Sequence, residues 1–154
     1  VVLGSPLGGR PNRRFLIRLP FLRRRCPVKL RAMVGGRAEV CGPETTLQDA
    51  ATAMMTARVG SIGVVQGREL AGIITERDIV RAASEGTDPR LELVEDWMTT
   101  DPDVFTPEVT VAEAAQWLLE TGYRHLPIME EGELLGILSI RDVLWALLGS
   151  ETEA

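Results

Sequence analysis

The chain has 154 residues, of which 45% are hydrophobic, with two cysteines and a formal net charge of -5. That is apolar content enough for one compact domain or two small repeats, and no apolar run approaches the roughly 18 residues of a membrane-spanning helix. Cys26 and Cys41 are too far apart for a C-x-x-C motif and too few for a disulfide framework, so cytoplasmic residence is expected.

The first element in chain order is a basic head. Ten of the seventeen basic residues fall in residues 1–38, which hold no acid, whereas residues 39–154 carry all twenty-two acids against seven arginines. Glycines and prolines break any apolar period in residues 1–27, so a disordered tail is expected there. Two readings of it stand open. Phe15, Leu16, Ile17, Leu19, Phe21 and Leu22 among arginines suit an anionic membrane surface or nucleic acid, and a solvated tail, or a stretch upstream of the natural start, suits the composition equally. The acidic body is a poor ligand for nucleic acid or an anionic membrane.

The rest of the chain repeats itself. A shift of 64 residues lays Pro43-Glu44-Thr45-Thr46 on Pro107-Glu108-Val109-Thr110, Glu69-Leu70-Ala71-Gly72-Ile73 on Glu133-Leu134-Leu135-Gly136-Ile137, and Arg77-Asp78 on Arg141-Asp142, without a gap. Two copies of one supersecondary unit follow. In each, Thr46 or Thr110 is placed to N-cap a helix, with Asp49 or Glu113 three residues on. The helices then carry apolar residues at helical spacing, Leu47, Ala50, Ala51, Met54 and Met55 in one, Val111, Ala114, Ala115, Leu118 and Leu119 in the other, which predicts one buried stripe per helix. Residues 62–65 and 126–129 read as strands, turned at Gly67 and Gly132 into second strands over 70–74 and 134–138. Gly72 and Gly136 mark points where a backbone or a ligand comes close.

Each copy ends on a strand, a hydroxyl and an aspartate: Gly72-Ile73-Ile74-Thr75-Glu76-Arg77-Asp78 and Gly136-Ile137-Leu138-Ser139-Ile140-Arg141-Asp142. One reading is a capping box at a helix start. The other is ligand binding, since free N–H groups at a helix start attract anions and a carboxylate accepts ribose hydroxyls. Arg77 and Arg141 sit in the first helical turn, where a cation opposes the dipole, which fits a phosphate, an acidic partner or simple solvation. One histidine, His125, builds no metal site and leaves little room for acid-base catalysis, and no P-loop, G-x-G-x-x-G or Ser-His-Asp order is present.

The repeat resembles a tandem pair of cystathionine-β-synthase (CBS) domains, a Bateman module. The carrying segments are Val94-Glu95-Asp96-Trp97-Met98-Thr99, Tyr123-Arg124-His125-Leu126-Pro127-Ile128 and the two hydroxyl-x-x-Asp segments; the first copy departs at Leu30-Arg31-Ala32-Met33-Val34, which keeps only the methionine. The resemblance implies an α/β (α+β) fold of two β-α-β-β-α units, residues 28–88 and 89–149, related by a pseudo-twofold axis with two three-stranded sheets face to face, and a short tail at 150–154. It implies a non-enzymatic regulator that requires no cofactor and binds an adenosyl ligand, AMP, ADP, ATP or S-adenosylmethionine, between the repeats. Thr75 and Asp78 would then face Arg124 and His125, and Ser139 and Asp142 would face the uncharged Gly60 and Ser61. The alternative is a ligand-free dimerisation or scaffold module. In both readings a homodimer is expected, because the last helix is apolar nearly all round, along with a regulated partner protein that no motif names.

Overall fold

Two threonines start the two long helices of the computed structural model, which describes residues 28–36 and 38–149. Thr46 accepts a hydrogen bond from the Asp49 amide at 3.1 Å and opens α1 (Leu47–Ala57). Thr110 opens α4 (Val111–Thr121) with a full capping box, the Glu113 carboxylate accepting from the Thr110 amide at 3.0 Å and from its hydroxyl at 2.7 Å. Both helices end on a left-handed residue, Arg58 (φ 59°) and Gly122 (φ 75°), whose amides close on Met54 and Leu118 carbonyls. The expected basic tail, residues 1–27, and residues 150–154 lie outside the described residues.

The hairpins follow as expected. Strands β2 (Ser61–Gln66) and β3 (Glu69–Thr75) pair antiparallel, as do β5 (His125–Glu130) and β6 (Glu133–Ser139), each pair shifting register at the same repeat position, Val64/Val65 and Ile128/Met129. The last strands run into α2 (Glu76–Ser84) and α5 (Ile140–Gly149). The hairpins stack on one another: a Cβ on Gly63 would meet Leu134 at 2.6 Å, and Arg68 bridges to Glu133 at 2.9 Å.

Each lead-in segment crosses to the other repeat. The short α3 (Val94–Trp97) hydrogen-bonds Thr45 through the Val94 amide at 2.8 Å and buries Val94 and Trp97 in the first core, with Leu47, Ala50, Met54, Ile62, Val64 and Ile74. Sixty-four residues earlier, Leu30 does the same to the second repeat: its amide reaches the Val109 carbonyl at 2.9 Å, and its fully buried side chain joins Val111, Ala114, Leu118, Leu126 and Ile128. Lys29 and Arg31 both pair with Glu108, and Arg31 also with Glu130. Neither core closes without a piece of the other repeat.

The implied pair of three-stranded sheets is corrected in detail. The ladders are β1 (Val40–Cys41), β2, β3 and β4 (Thr99–Thr100) in one sheet and β5 with β6 in the other. Thr99 and Thr100 add to β3 opposite Ile73 and Gly72, whereas their counterparts in the first lead-in, residues 35 and 36, form no ladder, and Phe105 makes a single parallel bridge to Ile128 where β1 makes two pairings. A second correction concerns the helix stripes. Met55 is 79% exposed and Leu119 65%, because they stand on the flank that the hairpins leave uncovered. The equivalent flanks of the last helices expose Val80 and Leu144, and α5 adds Trp145 and Leu148.

Candidate functional site

The hinge of each repeat is fixed by the hairpin register. Ser61 begins β2 opposite Thr75, the last residue of β3, and His125 begins β5 opposite Ser139, the last residue of β6. The helix that follows is tied to the same hinge, by the Glu76 amide to the Gly60 carbonyl at 3.0 Å and the Ile140 amide to the Arg124 carbonyl at 2.8 Å. Each hydroxyl-x-x-Asp box therefore lies beside the hinge of its own repeat.

Between the repeats is a cleft of about 720 Å³, within the range of small-molecule sites. One wall is residues 33–36 of the first lead-in, another the end of α1 with Arg58, Gly60 and Ser61, and the third Arg124, His125 and residues 135–142, with Ser139, Arg141 and Asp142 among them. Glu39 and Glu76 also line it, so three arginines meet three carboxylates. Met33 to Gly36, Arg58, Glu39 and Glu76 escaped sequence reasoning; only Arg58 left a signal, an arginine where the repeat aligns it with Gly122.

Ser139 and Asp142 line the cleft together with Gly60, Ser61, Arg124 and His125. Thr75, Arg77 and Asp78 do not line it. The hairpin register sets His125 opposite Ser139, the hydroxyl of its own repeat. His125 still reaches the first repeat: a Cβ on Gly60 would stand 3.2 Å from its Nε2 and 3.3 Å from the Glu76 carboxyl carbon.

Both boxes make the capping interactions. Asp142 Oδ2 accepts from the Ser139 amide at 2.7 Å and hydroxyl at 2.6 Å, and Asp78 Oδ2 accepts from Thr75 at 2.9 and 2.8 Å. They differ in what remains. Asp78 is 8% exposed and its other oxygen lies 3.3 Å from Arg81, which in turn donates to the Trp97 carbonyl at 2.6 Å. Asp142 is exposed, and its Oδ1 has no partner among the described residues. An open carboxylate oxygen beside a hinge with two cationic or polar side chains can accept sugar hydroxyls while the hinge meets a phosphate.

Burial pushes the His125 pKa below its ordinary value; Arg124 adds to this and Arg77 contributes, against the opposing pull of Glu76 and Asp142. The shift favours the neutral imidazole, which can donate from one nitrogen while accepting at the other. Among the described residues no group of three His, Cys, Asp or Glu side chains could hold a metal ion, and no helix is long and apolar enough to cross a membrane.

A family model of the CBS domain matches residues 36–85 and again 94–149. A 17.7 kDa protein of Acidianus ambivalens is 42% identical over 115 residues, 73% of this chain and 69% of that protein. The mitochondrial CBS domain-containing protein CBSX3 of Arabidopsis thaliana is 34% identical over 119 residues, so that the chain spans 58% of its length. Among solved structures, a CBS-domain-containing protein from Agrobacterium tumefaciens superposes with a TM-score of 0.70 at 28% identity, covering 76% of this chain and 94% of that one. CBSX2 in complex with AMP gives 0.69 at 27% identity, covering 80% and 98%. The hexameric CBS-CP12 protein from bloom-forming cyanobacteria gives 0.70 at 28%, covering 76% and 70%.

Proposed function

We propose, from the premise that this chain belongs to the CBS-domain family and carries two copies of the domain, that it is a regulatory sensor of a phosphorylated adenosyl ligand and has no catalysis of its own. The carrying observation is the half of the cleft at Ser139 and Asp142, where an aspartate with one open oxygen stands beside Arg124 and His125. In this reading Asp142 accepts the ribose hydroxyls, and the α5 amides with Arg124 and His125 take the phosphate. AMP, ADP or ATP fit better than S-adenosylmethionine, which brings no phosphate to Arg124. CBSX2 supports the reading as a CBS protein in complex with AMP.

The second reading, a dimerisation module regulating a partner, has its own support in the exposed apolar flank of α5, with Trp145 72% exposed. The two are compatible, since Leu144, Trp145 and Leu148 do not line the cleft. We take the protein to act in the cytoplasm, with the acid surplus of the body keeping nucleic acid and anionic membranes away from it. Thermal shift with adenosine, AMP, ADP, ATP and S-adenosylmethionine tests the ligand, because a molecule that binds only the native state stabilises it by about 2.7 kcal/mol at a hundred times its Kd. Stabilisation by AMP exceeding that by adenosine supports the reading; none by any of the five leaves the dimerisation module.

A further inference from the structure

Arg58 occupies a position where the other repeat has glycine. It caps α1 in the left-handed region, φ 59° and ψ 39°, and its amide closes on the Met54 carbonyl, while Gly122 at φ 75° does the same for α4 with Leu118. That backbone duty is done better by glycine, which has no Cβ to crowd the following carbonyl. The side chain therefore has to be explained by something other than the helix end. It makes no ion pair or hydrogen bond among the described residues, and it lines the cleft. Arg124 and Arg141, equally unpaired, line the same cleft; of the described arginines outside it, Arg31, Arg68, Arg81 and Arg90 each hold a carboxylate and Arg77 alone does not. On a chain of net charge -5 with acids to spare, three unpaired guanidinium groups are gathered around one concavity. Non-glycine residues in the left-handed region gather where a side chain is used, although Asp101 and Glu131 adopt it here as well.

We propose that Arg58 is a specificity-determining residue of the cleft, adding to Arg124 and Arg141 the third cation that selects a ligand with two or more phosphates over a monophosphate. In this reading Arg124 and His125 of the second repeat meet one phosphate, and Arg58, contributed to the same cleft by the first repeat, meets the next. The nucleoside half of this ligand rests on the function proposed above; the polyphosphate half rests on the arginines alone.

Calorimetry on the parent protein, Arg58→Gly and Arg58→Lys with AMP, ADP, ATP and inorganic tripolyphosphate separates the two. Arg58→Gly installs the residue the second repeat uses and should melt no lower than the parent. The parent should bind ATP more tightly than AMP; Arg58→Gly should lose about tenfold for ATP and tripolyphosphate and less than about twofold for AMP, with Arg58→Lys between. Equal losses for AMP and ATP, or none, overturn the inference and leave the nucleotide reading standing. Binding of tripolyphosphate that depends on Arg58, with no binding of any nucleotide, upholds the inference and overturns the nucleotide reading. Binding of neither overturns both.

Discussion

The imidazole of His125 faces Gly60 so closely that its Nε2 stands 3.2 Å from the position a Cβ there would take. The hinge of one repeat thus rests on the hinge of the other, and glycine is what lets it. Gly60→Ala must displace His125 or Glu76 by a few tenths of an ångström, both of them side chains able to yield. Stability should change by less than about 1 kcal/mol, while AMP affinity falls severalfold as the imidazole leaves its place. Melting and titration of the same preparation check the pair; an unchanged affinity would remove His125 from the site.

The same imidazole predicts a pH dependence. Its folded pKa is lowered, so as pH falls below the ordinary value of 6.5 the unfolded chain takes up a proton before the folded one does. The stability is full above that value and declines as pH drops from it toward the folded pKa. Bound phosphate reverses the preference by stabilising the imidazolium, so AMP should bind more tightly at pH 6 than at pH 7.5 and take up a proton as it does. Calorimetry in two buffers of different ionisation heat reads that uptake. His125→Gln should abolish the loss of stability on acidification and leave only the proton linkage of the AMP phosphate itself, whose second pKa is about 6.

Gly72 and Gly136 are equivalent in the repeat but not in their surroundings. A Cβ on Gly72 would lie 2.7 Å from the Thr99 carbonyl oxygen and 2.6 Å from Met98 Sδ, whereas on Gly136 the nearest atom is Val34 Cγ1 at 3.1 Å. Backbone held in a strand cannot withdraw as a valine methyl can. Gly72→Ala should cost about 1 to 3 kcal/mol and Gly136→Ala less than about 1, measured by urea denaturation. Equal costs would mean that β4 is not docked on β3 as described.

The exposed Leu144, Trp145 and Leu148 on α5 predict self-association. A tryptophan at the centre of such an interface contributes about 2 kcal/mol or more, so Trp145→Glu should raise the dimer dissociation constant at least about thirtyfold. Sedimentation at micromolar concentration should show a dimer for the parent and a monomer for the variant. A monomeric parent contradicts the prediction.

What the sequence made legible was local. The Thr46 and Thr110 caps, both hairpins, both hydroxyl-x-x-Asp boxes and the repeat that relates them are written within a few residues of each other, where hydrogen-bond partners are set by spacing alone. Leu30 inserting into the second core and Trp97 into the first were not legible, because a short lead-in with one or two apolar residues fits either neighbour equally well by composition. The partner of Arg124 and His125 depended on β5 and β6 register at the hinge, which periodicity does not report. Met55 and Leu119 continue a correct helical stripe, yet a stripe gives no sign of which flank the next element covers. Arg58 was visible only as a mismatch with Gly122, and its φ supplied the meaning.

The central claim is that Asp142, not Asp78, holds the ligand, and calorimetry of AMP binding to Asp142→Asn and Asp78→Asn measures it most directly. Asparagine keeps an acceptor for the cap in both, which separates ligand binding from helix stability. Asp142→Asn should weaken AMP about tenfold with little change in melting, since a hydrogen bond to a charged group contributes about 1.5 to 3 kcal/mol. Asp78→Asn should lower the melting temperature, because it removes the charge that pairs with Arg81 at a nearly buried position, and leave the affinity within about twofold. A larger loss of affinity from Asp78→Asn than from Asp142→Asn, or a parent protein that binds no AMP, would contradict the account.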